Sequence, residues 1–78
     1  MEERISIIEK ADRSERVVIC RRHDGNFTYR QQWADPDVVT GPDYGWGPPG
    51  PDAGVYDTPA TAEMEAMQCV GWLKSNFH

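Results

Sequence analysis

A small α+β domain, an antiparallel sheet of three strands (four if a short one forms at residues 55–57) packed against one C-terminal helix, is what this 78-residue sequence predicts. Three observations carry that prediction. Residues 17–22 and 26–33 are two β-type runs around Asp24-Gly25. Residues 34–54 hold five of the six prolines and five of the seven glycines, which excludes regular structure there. Residues 58–73 carry an apolar stripe at helical spacing behind a Thr58-Pro59 start. A chain this short hides only about 60–65% of its unfolded surface, so it builds one domain with a thin margin of stability. Three Trp, three Tyr and two Phe compensate in part, each ring burying roughly 150–250 Å².

Taken in order, residues 3–10 alternate around Ile5 and Ile7 and read as a strand, although Ile5 and Ile8 also suit one turn of helix. The polar stretch 11–16 lacks an apolar pattern and is the first turn. In the hairpin, a two-residue turn at Asp24-Gly25 competes with a three-residue turn in which Gly25 is left-handed. The apolar pattern selects the latter: with Arg22 opposite Asn26 and Ile19 opposite Tyr29, residues Val17, Ile19, Phe27, Tyr29 and Trp33 share one face. Residues 34–54 form a long loop with polyproline-like character around Pro48-Pro49-Gly50-Pro51. Val55-Tyr56 then precede a helix N-capped by Thr58, in which Ala62, Ala66, Cys69, Val70 and Leu73 form the stripe. Gly71 weakens its end. The expected core is Ile5, Ile7, Val17, Ile19, Phe27, Tyr29, Ala62, Ala66, Val70 and Leu73, with Trp33 and Trp72 at its edges.

Charge divides the chain. Residues 1–33 carry seven Lys/Arg against six Asp/Glu, whereas residues 34–78 carry one Lys against seven acids, for a net charge of −5. The acidic total disfavours general nucleic-acid binding. Cys20 and Cys69 lie in apolar stretches and read as two buried, reduced thiols. The N-terminal residues show no basic segment followed by an apolar one, and the longest aliphatic-plus-Cys run is residues 17–20, so a cytoplasmic protein without a membrane role is expected.

The run Cys20-Arg21-Arg22-His23-Asp24-Gly25-Asn26-Phe27-Thr28-Tyr29, followed by Trp46, Gly54-Val55-Tyr56-Asp57-Thr58, Ala62-Glu63-Met64-Glu65-Ala66 and Trp72-Leu73, resembles small uncharacterised proteobacterial proteins. The resemblance covers about residues 17–73. It implies a hairpin, a Trp-bearing loop, a closing helix and a bacterial source; it implies no activity.

No catalytic, cofactor or metal site is expected. Cys20, His23, Cys69 and His78 could in principle make a Cys₂His₂ zinc set, but positions in mid-strand, mid-helix and at the last residue are poor for it. The carboxylate pairs Asp35/Asp37 and Glu63/Glu65 lack a cleft for acid–base work. Asn26-Phe27-Thr28 matches a glycosylation sequon by coincidence, within a strand.

Two surfaces remain. One is the loop at residues 35–52, where Asp43, Tyr44, Trp46, Pro48 and Pro49 offer aromatic and proline contacts to a protein. Trp46 either faces such a partner or folds back over the sheet–helix seam. The other is an arginine-bearing hairpin face, Arg21, Arg22, Arg30 and His23, suited to RNA phosphates. The leading expectation is a non-catalytic protein-binding module using the loop; the alternative is an RNA-binding accessory protein using the arginines. A single helix covers one sheet face, so the bare face and any open strand edge also invite a homodimer.

Overall fold

A computed structural model of the protein describes residues 3–76, with side chains through Leu73. His78, the fourth residue of the zinc set considered above, lies outside the described residues. Three antiparallel strands, β1 (Glu3–Glu9), β2 (Glu15–Arg21) and β3 (Phe27–Trp33), form one sheet in the order β1-β2-β3, followed by helices α1 (Pro59–Cys69) and α2 (Gly71–Asn76). This is the α+β class that the sequence predicts.

The hairpin takes the three-residue turn. Ile19 lies opposite Tyr29 and Arg21 opposite Phe27, while the Arg22 amide donates to the Asn26 carbonyl (2.7 Å). Gly25 sits at φ +88°, a left-handed backbone that a side chain would strain. Across an antiparallel pair, opposite residues share a face. Val17, Ile19, Phe27 and Tyr29 therefore join Ala62, Ala66, Val70 and Leu73 in one core beneath the helices. The two alanines are wholly buried, and their small side chains let α1 lie close to the sheet. Thr58 caps α1 by accepting from the Thr61 amide (3.1 Å), with Pro59 as the first helical residue.

Four expectations need correction. First, Ile5 and Ile7 are not core: they are 41% and 42% exposed. Arg4 pairs with Cys20 and Ser6 with Ile19, so Ile5 is an extra, bulged residue. The bulge inverts the alternation beyond it, sending Ile7 to the face opposite the helices and bringing Ile8, opposite Val17, against the core. Second, the helix predicted over residues 58–73 is interrupted at Val70, an extended residue (φ −99°, ψ 107°) whose amide still donates to Ala66. Gly71 opens α2, which swings Leu73 into the core and lets the Trp72 Nε1–H donate to Glu15. Third, Cys69 is exposed while Cys20 is buried, and neither forms a disulfide. Trp33 is also half exposed, at 51%.

The fourth correction matters most. The sheet face away from the helices is not bare. Val18, Cys20, Thr28 and Gln32 on that face are buried, and the Gly/Pro-rich segment reaches over it to Arg16, Gln32 and Arg30. The segment also runs antiparallel along the outer edge of β3: the amides of Gly47, Gly50, Ala53 and Tyr56 donate to the carbonyls of Trp33, Gln31, Tyr29 and Phe27 at 2.8–3.2 Å. Every third residue of the segment meets every second residue of β3. A threefold chain returns the same side every third residue, as in polyproline II. Three such residues would span about 9 Å, against about 6.6 Å for two strand residues, so the chain bows outward between anchors. Pro48, Pro49 and Pro51 occupy the exposed bows. Gly50 approaches so closely that a Cβ there would lie 3.3 Å from the Gln31 carbonyl oxygen. The short strand considered at 55–57 reduces to one bridge, Phe27 with Tyr56, whose ring stacks on Tyr29 (centroids 6.4 Å apart).

Candidate functional site

The face opposite the helices is built from β2 and β3 residues of alternating register: Arg16 opposite Gln32, Val18 opposite Arg30 and Cys20 opposite Thr28. Burying such polar groups costs several kcal/mol, of the order of 2–7 each, unless they find partners. The loop supplies them. Arg16 Nε donates to Gln32 Oε1 (2.8 Å), Arg16 Nη2 donates to Asp43 Oδ1 (3.0 Å), and Gln32 Nε2 donates to the Gly47 carbonyl (2.9 Å). The Trp46 ring lies over the same guanidinium, 4.5 Å from ring centroid to Cζ. Arg4 from β1 reaches the same Asp43 oxygen at 2.7 Å. At the other end Arg30 Nη1 donates to the Gly50 carbonyl (2.8 Å), and Asp52 binds both Arg30 and Arg22, the latter at 3.2 Å.

Two aspartates of the acidic half thus each bridge two arginines of the sheet half, Asp43 holding Arg4 and Arg16 and Asp52 holding Arg30 and the turn residue Arg22. Burial raises the proton affinity of Asp43, but hydrogen bonds from Arg4 and Gln32 and the charges of Arg4 and Arg16 outweigh it and hold the carboxyl below its ordinary value of 3.8. On the helix side, burial and the neighbouring Cys69 thiol push the Tyr29 phenol up to about 12, so it stays protonated across the physiological range.

Between the sheet and this ladder, residues 35–46 close on themselves. The Asp35 amide donates to the Gly45 carbonyl (2.9 Å), Gly45 to Val38 (2.7 Å), Tyr44 to Gly41 (3.3 Å) and Trp46 to Asp43 (2.8 Å). Adjacent ends and internal bonds make this an Ω-type loop. Its inner side is Asp43 and Trp46; its outer side carries Tyr44 and Val39, 67% and 61% exposed.

The five loop residues named from sequence therefore divide. Asp43 and Trp46 are internal fasteners, Tyr44 stands out on the loop, and Pro48 and Pro49 are exposed on a bow. Of the arginine set, Arg22 and Arg30 are held by Asp52, Arg21 is exposed above the Phe27 ring on the helix side (5.6 Å), and His23 is exposed in the turn. The set does not converge on one face. Sequence reasoning overlooked Gln32 and placed Arg16 at the end of the first turn, near the arginine face, whereas both are buried at the centre of the docked face. Their signal was the charge division itself, an arginine-bearing sheet followed by an aspartate-bearing loop. Among the described residues no group of three His, Cys, Asp or Glu side chains is placed to hold a metal ion, and no helix is long and apolar enough to cross a membrane.

Compared with known protein families, with curated proteins and with solved structures, the chain finds no match.

Proposed function

We propose that this protein is a non-catalytic protein-binding module whose contact surface is the outer side of the loop at residues 36–44. The observation that carries this reading is Tyr44: a large amphipathic ring, 67% exposed, on a loop fastened by four internal hydrogen bonds and by the ion pairs of its neighbour Asp43. Holding an aromatic anchor rigid in advance lowers the entropy lost on binding, which is how tyrosine earns its place in recognition surfaces. Val39 adds apolar area beside it on the same loop. The RNA-binding alternative has less support, because the aspartates occupy the guanidiniums of Arg22 and Arg30.

The test is affinity capture from a lysate of the native cells with the wild-type protein and with Tyr44→Ala. The expected result is a partner retained in about 0.5 M salt, where exposed charge pairs are screened, and lost with Tyr44→Ala while the melting temperature stays unchanged. Capture that disappears on nuclease treatment or moderate salt, and that Arg21→Glu rather than Tyr44→Ala abolishes, would replace this reading with the nucleic-acid one.

A further inference from the structure

The two edges of the sheet are treated differently. The outer edge of β3 is occupied by residues 47–56, whereas β1, among the described residues, has a strand neighbour on one side only. An open edge carrying two half-exposed isoleucines, Ile5 and Ile7, is a template for another strand.

The sequence of β1 fits one such strand in particular, its own. Ile5 is extruded by the bulge, so the residues that occupy ladder positions are Glu3, Arg4, Ser6, Ile7, Ile8 and Glu9; Lys10, the next residue, lies just past the strand's end, where its amide donates to the Glu15 carbonyl (2.9 Å). Set against a second copy running antiparallel, with the two-fold axis at Ile7, these positions place Ile7 opposite Ile7, Ser6 opposite Ile8, Arg4 opposite Glu9 and Glu3 opposite Lys10. Each pair keeps to one face, as antiparallel pairing requires: Arg4, Ile7 and Glu9 lie on the loop face, Ser6 and Ile8 on the helix face, following their partners Cys20, Val18, Arg16, Ile19 and Val17 in β2. All four charges of the edge meet an opposite charge, twice over by symmetry. If the bulge were ignored and the axis placed at Ser6, Glu3 would oppose Glu9. The bulge thus creates the complementarity.

We infer that the β1 edge is a homodimer interface, in which two copies join their sheets through antiparallel β1–β1 pairing about Ile7. The local contacts of Glu3 and Lys10 are long and exposed, with Arg21 and Asp12 at 4.0 Å, so these two re-pair across the axis at little cost, whereas Arg4 stays shared with Asp43 (2.7 Å) and Glu9 with Arg13 (3.5 Å). A contact of seven residues per copy is small, and a dimer of micromolar to millimolar affinity is expected. It uses no residue of the loop around Tyr44, and although Arg4 also holds Asp43 of that loop, the Glu3 and Lys10 variants leave that pair intact, so either proposal can fail without the other.

The test is sedimentation equilibrium from micromolar to millimolar protein. Wild type should rise from the mass of one chain to that of two. Glu3→Lys and Lys10→Glu each place like charges opposite at two symmetric points, and each should weaken association by roughly three- to tenfold. An equimolar mixture of the two variants should regain it, because every Lys then meets a Glu. Ile7→Lys, which sets two cations on the axis, should leave a folded monomer with an unchanged circular-dichroism spectrum. A single-chain mass for the wild type at millimolar concentration, or variants that self-associate as well singly as mixed, would overturn the inference.

Discussion

The two faces of the sheet are buried by different means. Beneath the helices, Val17, Ile19, Phe27 and Tyr29 meet Ala62, Ala66 and Leu73, and burial of apolar area is the driving term. Beneath the loop, the Trp46 ring covers Arg16, but Arg16, Arg30 and Gln32 are polar, and what fixes the segment over them are hydrogen bonds and ion pairs to named atoms. An apolar face tolerates a change of partner of similar volume. A polar face does not, because each lost partner leaves a desolvated group behind. A segment without periodicity can therefore be as specifically seated as a helix, provided the sheet presents polar groups at the right spacing.

Two tryptophans report on the faces separately, Trp72 of α2 against the apolar core and Trp46 of the loop over Arg16. The largest effect should come from Leu73→Ala, which empties a wholly buried position of α2. A loss of about 2–5 kcal/mol is expected in urea denaturation, and for a domain this small it is enough to unfold much of the population. Both indole N–H resonances should lose their native positions together. If Trp46 keeps its native shift while Trp72 does not, the loop does not depend on the helical core and the two faces are separate units.

Gln32→Met keeps the length of a fully buried side chain but leaves Arg16 Nε and the Gly47 carbonyl without it. A cost of about 1–3 kcal/mol is expected, with the Trp46 indole displaced and Trp72 unmoved. An apolar gain that cancelled the loss would show that the loop face is, after all, held by area. Gly50→Ala brings a methyl to 3.3 Å from the Gln31 carbonyl oxygen, and should cost about 1 kcal/mol. It should also speed hydrogen exchange at the Gly50 amide and leave the β2–β3 ladder protected.

The smallest effect is with acid. The Asp43 carboxyl is held below 3.8 in the folded protein, so folding favours its ionised form. Its stabilisation is fully present above that value and is lost as the pH falls below 3.8 through the depressed value. The Trp46 resonance should shift in that window, ahead of Trp72, and Asp43→Asn should remove the difference. Simultaneous shifts of both indoles would assign the acid response to the whole fold.

How much of this was legible beforehand follows the same division. The hairpin register could be read because Asp24-Gly25 fixes the turn and a one-residue slip would have split Ile19 from Tyr29. The helix start was written in Thr58-Pro59, and its break was hinted by Gly71, one residue past the extended Val70. The phase of β1 was hidden, since nothing in Arg4-Ile5-Ser6-Ile7-Ile8 announces a bulge; its cause is the pairing with β2. The cover of the second face was hidden because prolines and glycines leave no periodic apolar signal. Tyr44 was found by elimination of regular structure, while Arg16 was read as a turn residue near the arginine face, because a buried arginine is recognised only once Asp43, 27 residues later in the chain, is placed beside it.

The ladder along β3 also acts as a lock on alignment. Gly50 lies between Pro49 and Pro51, and it donates to the Gln31 carbonyl at a point where a Cβ would crowd that oxygen at 3.3 Å. Sliding the segment by one residue in either direction would present a proline there, with no amide to donate and a ring in the way. The segment consequently has no neighbouring misalignment to sample during folding. Insertions or deletions between residues 47 and 56 should be accepted only in units of three, which gives this stretch a reading frame of its own.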